Sequence, residues 1–291
     1  MITVVIPVRR GSTRCYNKNI RKFGNSNLLK LKIETLKKVN GISKILVSSN
    51  CDKMLKIASD LGVSIHKRDE EYCTSECSGS KFMVNLAEQV DTEYFLYSTC
   101  VTPLVTKVDI EKCISYIEEL NKEHDSIVMA NVSKNFTWDV NGPVNYDISD
   151  APPSQNLPEY YVPNFGACLI RTQDVIKYKN VIGVKPLFIK TDNITGIDID
   201  ENSDFLTAEL LYNNDIKDDT ICKLIMNKRN SKLELLDCTI RDGGYLNNWN
   251  FSNKEVTECY KAVTEAGYNY FEIGFRTNKI YYQTKENGVI P

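Results

Sequence analysis

Two short segments of this 291-residue sequence place reactive residue types at spacings that suit phosphate chemistry. The first, Arg9-Arg10-Gly11-Ser12-Thr13-Arg14-Cys15-Tyr16-Asn17-Lys18-Asn19, directly follows an apolar run. Its glycine lets backbone N–H groups approach an anion, its hydroxyls donate hydrogen bonds, and its cations neutralise charge, as a triphosphate requires. It lacks the Gly-Lys-Ser/Thr ending of a Walker A loop, and a solvated basic loop would have the same composition. The second segment is Thr195-Gly196-Ile197-Asp198-Ile199-Asp200-Glu201-Asn202-Ser203-Asp204. On an extended backbone, Asp198 and Asp200 at i and i+2 point to the same side. Two adjacent carboxylates repel unless a proton or cation joins them. Mg²⁺ suits such a pair, because it takes carboxylate oxygens and fills its other positions with water and phosphate. The plainer alternative is a strand end followed by helix-capping acids.

The elements that must position these segments follow from hydrophobic periodicity. Ile2–Val8 predicts a buried strand. Helical spacing over Leu28–Val39, Cys51–Leu61, Ser80–Val90 and Lys107–Lys122 alternates with strands at Lys44–Ser48, Val63–His66, Tyr94–Ser98 and Ser126–Asn131. Repeated strand–helix–strand units imply an α/β fold with a mainly parallel sheet and helices on both faces. Ligands then bind beyond the carboxyl ends of the strands. From Asn131 to about Asn164 the pattern breaks into Asn, Gly, Pro and Asp, predicting an excursion from the sheet. It resumes at Ala167–Ile170, Leu187–Lys190 and Ser203–Asn213. A polar stretch from Asn213 to Ser231 reads as a link. A new unit then starts, with a strand at Leu233–Asp237, a helix at Ser252–Ala266 and a strand at Tyr270–Gly274. The division expected is residues 1–228 and 229–291.

Composition narrows the function. The formal net charge of −2 leaves no global basic field, which argues against nucleic acid as a partner. No stretch approaches the ~20 apolar residues of a membrane span, and the N-terminus has the character of a first strand, not a signal peptide. The ten cysteines are scattered with no Cys-x-x-Cys pair, a distribution expected of reduced thiols in a cytoplasmic protein. His66 and His124 have no nucleophile or ligand at motif spacing and read as structural; Trp138, in the irregular stretch, suits plain packing first, with an acceptor pocket or a dimer contact as the alternatives.

The run Val5-Ile6-Pro7-Val8-Arg9-x-Gly11-Ser12-x-Arg14-x-x-x-Lys18-Asn19 resembles the signature of the acylneuraminate cytidylyltransferase family, the CMP-sialic acid and CMP-Kdo synthetases. In that family the loop wraps the phosphates of CTP. Val47-Ser48-Ser49-Asn50 resembles its second-strand motif, with Asn50 in place of an acid. Arg68 with Ser75, Ser78 and Ser80 resembles a nucleotide-binding segment. Pro103-Leu104-Val105 resembles Pro-Leu-Arg with the arginine replaced, and Tyr16-Asn17 stands where Pro-Gly is usual. The acidic segment resembles the family's Asp-Ile-Asp motif, whose aspartates hold Mg²⁺ against CTP. Over about residues 1–215 the resemblance implies a Rossmann-like nucleotidyltransferase with Arg9, Lys18 and Asp200 as catalytic residues. Arg9, Gly11, Ser12, Arg14, Lys18, Asn19, Arg68 and Ser78 would bind nucleotide, and Asp198 and Asp200 would bind Mg²⁺. The implied reaction moves CMP from CTP to an acidic sugar such as a 2-keto sugar acid and releases pyrophosphate. A polyol phosphate or phosphonate acceptor, or a nucleotide-binding module without turnover, are the alternatives. The family's habit implies a homodimer through roughly residues 132–165.

Near the C-terminus, Asp237-Cys238-Thr239-Ile240-Arg241-Asp242-Gly243 resembles the first strand of 4-hydroxy-2-oxovalerate aldolase-like barrels, and Phe271-Glu272-Ile273-Gly274 their second. There Arg241 would stabilise an enolate and Asp242 would bind a divalent metal. A TIM-type barrel takes about 250 residues, so this piece is incomplete. It is expected to be part of a longer fused polypeptide or the remnant of a lost barrel.

Overall fold

The apolar run at the N-terminus forms strand β1 (Ile2–Pro7) in a computed structural model of the chain, which describes residues 1–11, 14–215, 235–240, 242 and 251–272. The chain divides into two compact units, Met1–Ile221 and Cys222–Pro291. After β1 the first unit continues with a small hairpin, β2 (Lys22–Phe23) and β3 (Ser26–Asn27), then α1 (Leu28–Leu36), β4 (Ile42–Ser49) and α2 (Asp52–Asp60). Next come β5 (Ser64–Lys67), α3 (Gly79–Ala87), β6 (Tyr94–Tyr97), α4 (Lys107–Ser115) and β7 (Ser126–Ser133). A second hairpin, β8 (Trp138–Asp139) and β9 (Gly142–Pro143), precedes β10 (Tyr160–Arg171), α5 (Thr172–Tyr178), β11 (Pro186–Thr191) and α6 (Asn202–Asn213).

Seven strands form one sheet in the order β11-β7-β10-β6-β1-β4-β5. Of the pairings, only those of β10 with β6 and β7 are antiparallel. Successive side chains of a strand point to opposite faces, and the two faces are filled separately. Val4, Ile6, Leu96, Ile127 and Leu169 pack with α1, α2, α4 and α6 through Leu29, Met54, Ile110 and Phe205. Val5, Phe95, Tyr97, Val128 and Ile170 pack with α3 and α5 through Leu86 and Val175. This is the expected Rossmann-like, mainly parallel sheet with helices on both faces, and β1 and β6 at its middle are buried on each side.

Most element ends lie within a few residues of the sequence expectation, which omitted α5 and the β2–β3 hairpin; two boundaries differ more. The helix expected over Lys107–Lys122 ends at Ser115, and a 3₁₀ turn at Ile117–Asn121 completes it. β10 starts at Tyr160, inside the expected excursion. It pairs with β7 over Tyr160–Pro163, shifts register, and pairs again from Cys168. Phe165 takes the left-handed conformation at the shift (φ 55). A proline without an N–H and a left-handed residue are bulge features, so they masked a strand that runs straight through them.

The second unit has β12 (Leu236–Asp237) parallel to β13 (Tyr270–Phe271), with α7 (Asn253–Glu265) between them in sequence. Ser252 and Glu255 form a reciprocal capping box at the start of α7, and Gly267 takes φ 82 after its end. Every described residue of α7 keeps some exposure. Arg241 lies outside the described residues. Asp242 is described and exposed, its N–H donating to the carbonyl of Cys238 at 2.9 Å.

Candidate active site

The carboxyl ends of β1 and β6 open onto a cavity of about 510 Å³, at the position where a parallel sheet binds ligands. Its wall includes Val8, Arg9, Lys18, Asn19, Arg68, Phe82, Tyr97 and Thr99. Four of the residues expected at a nucleotide site therefore line one space: Arg9, Lys18, Asn19 and Arg68.

Arg68 is the most constrained of them. It is 2 % exposed. Its Nη2 donates to the carbonyl of Val8 at 2.8 Å, its Nε donates to Cys73 Sγ at 3.0 Å, and the guanidinium lies 4.9 Å from the centre of the Phe82 ring. Its Nη1 is buried without a hydrogen-bond partner among the described residues. A buried unsatisfied donor on a cation is costly, and an anion in the cavity would answer it. Arg9 is steadied by the same short turn, through a hydrogen bond from Nη1 to the carbonyl of Cys73.

The loop after β1 keeps its shape by local backbone geometry. Gly11 has φ 91 with open space around it, so the conformation and not crowding calls for glycine. Asn17 has φ 52, the left-handed state that the more usual glycine would supply, and asparagine tolerates it. Its carbonyl accepts from Ile20 and Arg21 N–H groups at 3.0 and 2.8 Å, which turns the chain so that Lys18 enters the cavity. Asn50, where the resemblance expects an acid, still accepts from the Arg10 N–H at 3.1 Å. Its Nδ2 also donates to Glu70 at 2.8 Å, which a carboxylate could not do. Ser12 lies outside the described residues. Ser78 caps α3, its hydroxyl accepting from the Lys81 N–H, while its neighbours Cys77 and Gly79 line the cavity.

The acidic segment approaches from the other side. Asp198, Ile199 and Asp200 form an irregular connection into α6 and not a strand. Lys18 Nζ donates to the carbonyl of Ile199 and lies 3.8 Å from Asp200, and Arg14 pairs with Asp200 at 3.0 Å. Asp198 is exposed, yet partial loss of hydration around its carboxylate and then the charge of Asp200 push its pKa up to about 6, against the pull of Lys18. Asp204 has the plainer capping role: its carboxylate accepts from the Asp200 and Glu201 N–H groups, which hold its pKa below the usual range. Among the described residues no cluster of three or more His, Cys, Asp and Glu side chains gathers. The all-oxygen donor pair, with the Asp198 pKa raised by loss of hydration and then by the charge of Asp200, fits a hard cation such as Mg²⁺ that completes its shell with phosphate and water.

Two sets of contacts that carry no motif signature hold the halves together. Phe23 of the β2–β3 hairpin and Phe205 of α6 are fully buried edge-to-face at 5.4 Å, and Arg21 covers Phe205 and donates to Asn202 at 2.8 Å. Burying two such rings stabilises the clamp by about 1.5–3 kcal/mol each. The second set is polar. Asn164 Nδ2 donates to Asn131 Oδ1 and to Thr191 Oγ1, both at 2.9 Å, and Asn131 Nδ2 donates to the Gly196 carbonyl at 2.9 Å. A Cβ at Gly196 would stand 1.7 Å from Asn131 Oδ1, so only glycine lets the chain pass into the acidic segment here. Val105 is 3 % exposed, and its Cγ2 would meet a Cβ at Gly166 at 2.8 Å; the position is apolar core.

Comparison with known proteins bears on the sequence pattern and the fold. The family model described as cytidylyltransferase matches residues 3–142. An N-acylneuraminate cytidylyltransferase of Escherichia coli O18:K1:H7 (strain RS218 / NMEC) is 24% identical over 215 residues, which are 71% of this chain and 51% of that protein. The chain thus spans about half the length of that relative. Among solved structures, a CMP:2-keto-3-deoxy-manno-octonic acid synthetase complexed with CTP superposes with a TM-score of 0.57 at 12% identity, covering 74% of this chain and 99% of that one. A 4-diphosphocytidyl-2C-methyl-D-erythritol synthase from Anaerococcus prevotii DSM 20548 gives 0.54 at 13% identity, covering 72% and 95%. At these identities the structures speak for the fold.

Proposed function

We propose that this chain, whose residues 3–142 carry the cytidylyltransferase pattern, moves CMP from CTP to an acidic sugar with release of pyrophosphate. The observation that carries this reading is the meeting of two walls at one place: a cavity lined by Arg9, Lys18 and Arg68, and an acidic segment tied to it through Lys18 and Arg14. Arg9, Arg14 and Lys18 hold the triphosphate, and Arg68 supplies a fixed buried charge. Asp198 and Asp200 would hold Mg²⁺, which when bound neutralises charge developing on the phosphoryl oxygens. With the donor clamped, the acceptor oxygen attacks the α-phosphorus in line and the bond to pyrophosphate breaks. The protein's part is positioning and charge stabilisation.

A second reading keeps the donor and changes the acceptor to a polyol phosphate or phosphonate. The buried, apolar Val105, where the resemblance expects an arginine for an acid, favours it. The second unit, with Asp242 beside a parallel strand pair, is read as the start of an aldolase-like barrel attached to the transferase. A homodimer through residues 132–165 is supported by the exposure of Phe136, Trp138, Val140, Val144 and Ile148 in that excursion. The buried thiols of Cys15, Cys73, Cys100, Cys113 and Cys168 are free, in keeping with a cytoplasmic setting.

The test is Mg²⁺-dependent pyrophosphate release from CTP, with ATP, GTP and UTP as controls and an acceptor panel of sialic acids, Kdo, polyol phosphates and phosphonates. Release with CTP and one acceptor class supports the transferase and names its substrate. CTP binding without release for any acceptor points to a module without turnover, and no binding of CTP sinks the reading.

A further inference from the structure

Lys32 sits in the middle of α1 on the face that packs against the sheet, and it is only 3 % exposed. Dehydrating an ammonium is costly, and an apolar side chain of similar volume would fill this place beside Leu29 and Ile33 without that cost. Burial lowers the Lys32 pKa to about 8, with Cys100 and Asp109 drawing it back upward. The Nζ donates to the carbonyl of Thr102 at 3.3 Å, and Thr102 is itself fully buried.

The segment so held is a junction. Thr99, Cys100 and Val101 line the cavity. The carbonyl of Val101 accepts from the Ile199 N–H at 2.8 Å. Ile199 stands between Asp198 and Asp200, its side chain is fully buried, and its own carbonyl accepts from Lys18. A continuous series of contacts therefore runs from Lys32 through Thr102 and Val101 to Ile199, and from there to Lys18 and the acidic pair. No motif includes Lys32, and the cavity wall itself does not.

We propose that Lys32 is a positioning residue that holds the 99–102 segment from beneath and, through the Val101–Ile199 hydrogen bond, sets the place of Asp198, Asp200 and Lys18. Its effect on CTP rests on the functional reading above; its effect on the segment does not. Outer contacts that orient metal ligands are worth about 10- to 100-fold in metal affinity, and this contact acts at one remove on both the acids and the lysine.

The experiment is amide hydrogen exchange and CTP binding in the presence of Mg²⁺, on the full chain and two variants. Lys32→Met keeps volume and removes the donor and charge; Lys32→Gln keeps a neutral donor. In Lys32→Met, exchange at the Ile199 amide accelerates about tenfold, the scale of one lost hydrogen bond to a charged group. The amides of Val47 and Val128 stay at wild-type rates. Mg²⁺-dependent CTP affinity falls about 10- to 100-fold, and Lys32→Gln shows smaller changes of both kinds. Unchanged exchange at Ile199, or acceleration spread evenly over the sheet, overturns the proposal. So does faster exchange at Ile199 with undiminished CTP affinity. Should Lys32→Met not fold, Lys32→Gln against wild type decides the same question. If the wild type binds no CTP, the functional reading fails, and exchange at Ile199 alone decides whether Lys32 positions the segment.

Discussion

Arg68 and Asp200 face the same site with opposite charges and opposite surroundings. Arg68 is buried, held by Val8, Cys73 and Phe82, with little freedom to move. The Asp200 side chain is half exposed, and its partner Arg14 is more exposed still. An exposed ion pair contributes about 0–1 kcal/mol and is screened by salt, so it exchanges partners readily. The basic wall is preorganised, whereas the pair of Arg14 with Asp200 is held loosely. Under the proposed function, such a division suits gripping a donor and then letting pyrophosphate go.

The sharpest way to break this comparison is on the acidic side. Asp200→Ala is expected to lower CTP-dependent pyrophosphate release by about a hundred- to a thousandfold, on the scale of losing a group that organises transition-state charge. The variant should melt near the wild type, because its close pair with Arg14 is exposed and Lys18 keeps its bond to the Ile199 carbonyl; a matching loss of stability would mean the acid is structural. On the basic side, Arg68→Met should weaken CTP binding by about 10- to 100-fold, as for a lost charged hydrogen bond. It should also lower the urea midpoint, because the Val8 carbonyl loses its buried donor. Calorimetry and urea denaturation read the two effects separately.

The support of the acidic wall can be tested without nucleotide. Gly196→Ala forces a methyl group into Asn131 and should cost about 1–3 kcal/mol, as overpacking does. Urea denaturation at neutral pH measures it.

The pH dependence follows from Asp198. Its pKa of about 6 is raised from the ordinary 3.8, so the folded chain binds this proton more readily than the unfolded one. Ionisation of Asp198 therefore costs stability above about pH 6, and the cost fades as pH falls towards 4. Without divalent cation, the wild type should gain on Asp198→Asn between pH 7 and pH 5 in urea midpoint. Mg²⁺ should bind more weakly below about pH 6, where the proton competes. The smallest effect belongs to Arg14→Ala, a change in stability within about 1 kcal/mol, with a rise in KM for CTP and little change in kcat.

The alternation of apolar runs and helical spacing was enough to place the sheet strands and most helices of the first unit, because both faces of its sheet are buried and each element must read accordingly; it left out α5 and the β2–β3 hairpin. It failed at the start of β10, where the residues up to Asn164 read as part of the excursion although the strand passes through a bulge. Of the site, Arg9 and Lys18 were legible as cations of the loop after the first strand, and Asn19 and Arg68 only through the family resemblance. Asn131, Thr191 and Phe23 were not, because an asparagine, a threonine or a phenylalanine at no special spacing has many roles.

By itself, then, the sequence determined the layered α/β architecture, the basic loop after the first strand and the paired aspartates, because these depend on local periodicity and residue chemistry. Only the tertiary structure decided that Arg68 is buried and pointed at the cavity, that Asn50 keeps its loop contact without being an acid, and that Lys32 reaches Thr102 from beneath. Those facts depend on contacts between residues far apart in the chain, and such contacts exist only once the sheet has brought its strand ends together.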